Sequence, residues 1–143
     1  MRLLVAVWVL SATVALAEDV PSAPWCAARH QKLVSVDREA ISVLDAWNAY
    51  RRSARAADVA AYRRKTAEGA AAVARLLDSG EQAGRDAARC NAAGFRSTPA
   101  QRVAYRRNEK DFHRVEPVLA ALQEAYARMR DAEQATLMAG VKQ

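Results

Sequence analysis

From Trp25 to Ala57 the apolar residues recur at alternating steps of three and four, through Cys26, Leu33, Val36, Ala40, Val43, Trp47, Tyr50, Ala54 and Ala57. Ile41 and Leu44 widen the stripe. This period belongs to an α-helix with one buried face. Carried past Ala57, the same frame would bury Arg64 and Glu68, whereas Val59, Tyr62, Thr66, Val73 and Leu76 form a second stripe in a shifted frame. A turn between Ser53 and Asp58 accounts for the shift, with Asp58 placed to cap the second helix. Asp78-Ser79-Gly80 then reads as the stop of that helix, because glycine takes the left-handed position past a helix end at little cost. Residues 80–97 hold three glycines, Cys90 and Phe95, and read as an irregular connection with one short helix in it.

Thr98-Pro99-Ala100-Gln101 is the clearest start signal in the chain: a threonine cap, proline at the first helical position and glutamine placed to complete a capping box. The stripe that follows is Tyr105, Phe112, Val115, Leu119, Leu122, Tyr126 and Met129. Pro117 falls inside it. Proline removes the backbone bond to the His113 carbonyl and bends or ends a helix, yet the frame passes through without a shift. The expectation is one helix from about Pro99 to Met138, kinked at Pro117. The fold class is therefore all-α, an antiparallel bundle of three long helices with a short helix in the 80–97 connection.

The first residues change the picture of where this domain folds. Arg2, an apolar run from Leu3 to Leu10 and a small-residue stretch ending Ala15-Leu16-Ala17 precede Glu18 and Asp19. This is the pattern of a secretory signal peptide cleaved after Ala17, too short for a bilayer-spanning helix of about 20 apolar residues. Residues 1–17 are thus expected to be removed and 18–143 to form a single domain, periplasmic or secreted, with no membrane span. In an oxidising compartment the two cysteines, Cys26 and Cys90, read as one disulfide. The bridge also limits the helices by reach. An unbroken helix from Cys26 to Asp78 would extend roughly 80 Å, and the chain from Ser79 to Cys90 returns at most about 40 Å, so the break near Ser53 is required.

Composition adds two constraints. Apolar residues make up 52% of the chain but aromatics only 6%, so alanine supplies much of the apolar count and the core is thin. Lys and Arg number 22 against 16 acids. A basic exported domain has anionic lipid, cell-wall polymer, nucleic acid or an acidic protein among its partner classes.

Two candidate sites stand out. The tetrapeptide Ala-Tyr-Arg-Arg occurs at Ala49, Ala61 and Ala104, so that Arg51, Arg52, Arg63, Arg64, Arg106 and Arg107 are candidate contacts to an anionic partner, with the tyrosines stacking. Against this, Tyr50, Tyr62 and Tyr105 each lie on the apolar stripe, which assigns them to packing and leaves the arginines on the solvated face. Glu109, His113 and Glu116 share one helix face, a ligand set for a metal. They flank the stripe, and a bundle metal site draws ligands from facing helices. No phosphate loop, nucleophile elbow or haem-attachment motif occurs. The reading is a non-enzymatic protein-binding module of inhibitor, immunity or chaperone type, without a cofactor. A binder of an anionic polymer or membrane surface is the alternative, and a metal-binding helical protein the third.

Overall fold

The computed structural model describes residues 21–54 and 58–140. The signal-peptide reading and the Ala57 end of the first stripe lie outside the described residues. Three helices make up the described chain, α1 (Ala23–Ser53), α2 (Val59–Ala92) and α3 (Pro99–Gly140), and no strand occurs among these residues. No described helix is long and apolar enough to cross a membrane.

The helices begin where side chains can take up free amides. Ser22 accepts from the Trp25 amide at 3.4 Å, and Asp58 accepts from the Ala61 amide at 2.9 Å. The box at α3 is complete: the Gln101 amide donates to Thr98 Oγ1 at 3.2 Å, and the Thr98 amide donates to Gln101 Oε1 at 2.9 Å. Each capped end has fewer unpaired N–H groups, which is why these residue types start helices.

The predicted stop at Gly80 and the predicted short helix within 80–97 are not found: α2 runs without interruption to Ala92. The reason is the stripe itself. Thr66, Gly69, Val73, Leu76, Gly80, Ala83, Ala87 and Cys90 keep one frame, and Thr66, Val73, Ala83, Ala87 and Cys90 are buried. Small residues gave this frame little apolar signal, but they let α2 approach α1 closely. The left-handed stop comes at Gly94, with φ of 89°. There the Phe95 amide donates to Cys90 O at 2.9 Å and the Gly94 amide to Asn91 O at 3.1 Å, the paired bonds of a Schellman ending.

Close approaches fix the directions. Cys26 is bonded to Cys90, Gly80 faces Val36, and Gly69 faces both Trp47 and Leu122. As α1 numbers rise α2 numbers fall, so the two are antiparallel. His30 meets Tyr105, the Val34 carbonyl meets Asn108, and Asp45 meets Arg114, so α3 runs in the direction of α1. The main core joins Ile41, Leu44 and Trp47 of α1 to Val73 of α2 and to Val115 and Leu122 of α3. α3 continues as helix through Pro117. Proline is tolerated there because residue 117 is exposed, which leaves the orphaned His113 carbonyl open to water. The disulfide lies at the end of the α1–α2 pair opposite its turn.

Candidate functional site

Two polar residues occupy frame positions that the apolar pattern leaves vacant, His30 between Cys26 and Leu33 and Asn108 between Tyr105 and Phe112. Both are buried. The Phe95 carbonyl can only accept, so His30 Nε2 carries the hydrogen that spans the 3.0 Å between them. Nδ1 then lies 3.3 Å from the Tyr105 hydroxyl, which donates to the His30 carbonyl at 2.9 Å. This cluster ties α1 to α3 and to the chain joining α2 and α3. Burial raises the Tyr105 hydroxyl above its usual pKa, and the charge of Asp37 raises it further.

Below that cluster the three helices enclose an open cleft of about 580 Å³. Leu33, Val36 and Ala40 of α1, Leu76 and Leu77 of α2, and Phe112 of α3 make its apolar walls. Its polar groups are Asp37, Glu81, Glu109, His113, Tyr105 and Asn108, with no lysine or arginine among the lining residues. Such a volume lies within the roughly 300–1,000 Å³ of ligand-binding clefts. Asn108 is only 4% exposed. Its Nδ2 donates to the Val34 carbonyl at 3.1 Å, and its Oδ1 has no bonded partner among the described residues. Asp37, one helical turn beyond Val34, is half-buried, and burial pushes its carboxyl above the ordinary value. No cation pairs with it among the described residues, whereas Glu81 is held by Arg85.

The structure separates the two candidate sites read from sequence. Arg51, Arg52, Arg63 and Arg64 gather near the α1–α2 turn, while Arg106 and Arg107 sit beside Tyr105 at the disulfide end, roughly 30 Å away along α1. All six are exposed, and Tyr50, Tyr62 and Tyr105 are partly buried on their stripes. Arg51 stacks on the Trp47 ring at 5.3 Å, and Arg64 pairs with Glu68 at 3.9 Å. His113 Nδ1 lies 3.6 Å from Glu116 Oε2 on an exposed face. No group of three His, Cys, Asp or Glu among the described residues is arranged to hold a metal ion. The cleft was missed because its signal is the polar residue inside a helical frame, at Asn108 and Asp37, rather than a run of like residues.

Comparison of the chain with protein-family models, with curated proteins and with solved structures gives no match.

Proposed function

We propose that this chain is an exported, periplasmic or secreted helical module that binds another protein and carries out no chemistry of its own. An inhibitor, immunity or chaperone role suits such a scaffold. The observation that supports the reading is the open apolar cleft between all three helices, of a size and wall chemistry suited to the side chains of a partner helix. A bend of α3 at Pro117 would swing its first half away from α2 and hold the cleft open. Beyond that residue the Leu122 side chain lies close to Gly69 of α2.

The test is a photo-crosslinking residue placed at Leu77 or Glu109 of the mature domain, with Arg75, which is exposed and outside the cleft, as control. Both cleft positions should capture the same protein from the envelope extract of the source cells, and the Arg75 position should not. Equal capture from all three sites would remove the cleft from consideration.

The basic cluster near the α1–α2 turn favours a second reading, attachment to an anionic polymer or membrane surface. That binding would weaken steeply with salt through counterion release. Cleft binding would not.

A further inference from the structure

Resting on the protein-binding reading, we propose that the cleft selects a basic amphipathic helix and seats one lysine or arginine of it between Asp37 and the Asn108 carboxamide oxygen. The charge of the cleft opposes the charge of the molecule. Over a chain with 22 basic residues and a formal net charge of +6, the cleft lining carries Asp37, Glu81 and Glu109 and no lysine or arginine. Asp37 is the unusual member of this set. A half-buried carboxylate normally recruits one of the many cations around it, and here none pairs with it among the described residues. Asn108 adds a second acceptor. Its Nδ2 is anchored to Val34 one turn before Asp37, and its Oδ1, which is not among the polar atoms sealed from solvent without a partner, is open to a donor from the cleft. A partly desolvated carboxylate that lines the same cleft as an amide oxygen offers a cationic N–H donor two acceptors, and charge-assisted bonds of this kind are about twice as strong as neutral ones.

The shape specifies a helix as the carrier of that cation. The α3 lining residues span Tyr105 to His113, roughly 12 Å or two helical turns. A trough of that length accepts side chains at i, i+3 or i+4, and i+7, the anchoring pattern of helix-in-groove recognition. Leu33, Val36, Leu76 and Phe112 receive the apolar anchors, and Glu109 lies among the lining residues to meet a flanking basic residue, while Glu81 is already paired with Arg85. An acidic helix would place like charge against Asp37.

The probes are synthetic helical peptides of about 14 residues, long enough for the two turns and their flanks, one built of Leu and Lys, one of Leu and Glu, one of Leu and Ser. Titrated into the mature domain and followed by amide chemical shifts, the Leu/Lys peptide should move residues 33–40 and 105–113 and bind about tenfold or more tightly than the other two. Asp37→Asn should weaken the Leu/Lys peptide by about tenfold or more and leave the Leu/Ser peptide unchanged. Gly80→Leu, which fills the cleft, should abolish binding. A Cβ at Gly80 meets only Val36, at an ordinary 3.5 Å, and circular dichroism checks that the remaining atoms of the leucine leave the helices intact. If the Leu/Glu or Leu/Ser peptide seats in the cleft as tightly, or Asp37→Asn has no effect, the cation preference is wrong and the protein-binding reading stands. If none of the three moves the cleft amides, both fall.

Discussion

Removing the Tyr105 hydroxyl separates what that side chain does by packing from what it does by hydrogen bonding. Tyr105→Phe loses the bond to the His30 carbonyl and the contact with Nδ1, and should cost about 1 kcal/mol in urea unfolding. Tyr105→Ala also leaves a hole beside His30 and should cost about 2–4 kcal/mol, below the range of fully buried aromatics because the ring is partly exposed. Glutamine at both Arg106 and Arg107 should stay within about 0.5 kcal/mol of the parent. Asp37 and Asp45 predict opposite responses to pH. Burial raises the folded pKa of Asp37 above the ordinary 3.8. Its stabilising contribution is therefore fully present only below the unfolded value and is lost as pH rises through the folded one. Asp37→Asn should raise the Tm at neutral pH, with the gain shrinking on acidification below the unfolded pKa. Asp45 is lowered first by its hydrogen bonds from Arg114, at 2.9 Å from each carboxylate oxygen. Its contribution is present above the unfolded pKa and lost as pH falls through the lower folded value. Asp45→Asn should therefore destabilise at neutral pH, modestly because both side chains are largely solvated. A Tm decrease for Asp37→Asn at neutral pH would contradict the burial assignment.

Glycines inside α2 and just past its end should respond in opposite directions to the same added methyl group. Nothing lies within 4 Å of a Cβ built at Gly84. Gly84→Ala should stabilise α2 by up to about 1 kcal/mol, the helix-propensity difference. At Gly94 the backbone has φ of 89°, so Gly94→Ala should cost about 1–2 kcal/mol through left-handed strain despite the open space around it. Thermal melts of the two variants give the signs directly. These positions also show what was legible in the chain. The starts of α2 and α3 were readable because capping is local chemistry, written in Asp58 and in Thr98 with Gln101. The end of α2 was not, because Gly80 and Gly94 are the same letter, and only packing against Val36 makes one a close-approach residue and the other a cap. Continuity through Pro117 was readable from the frame, since a helix reset at proline would have moved Leu119 and Leu122 off the buried side.

At the scale of the whole molecule, the repeated arginines share a sequence motif but fall at two ends of the structure, while the cleft depends on residues from three helices. Asp37, Gly80 and Asn108 share no motif, and their proximity follows from the pairing of α1 with both neighbours. The disulfide has a consequence for how the chain bears tension. Pulled from its two ends, force enters at Cys26 and passes straight to Cys90 through the bridge, so the α1–α2 pair is bypassed and only α3 with its short connection lies in the line of load. The 64-residue separation between the cysteines withholds roughly 210–230 Å of extensible chain. Single-molecule stretching of the oxidised domain should therefore show α3 paying out alone. Repeating it with a reductant present should add that hidden length, and identical extensions under both conditions would mean that the bridge is not carrying the load.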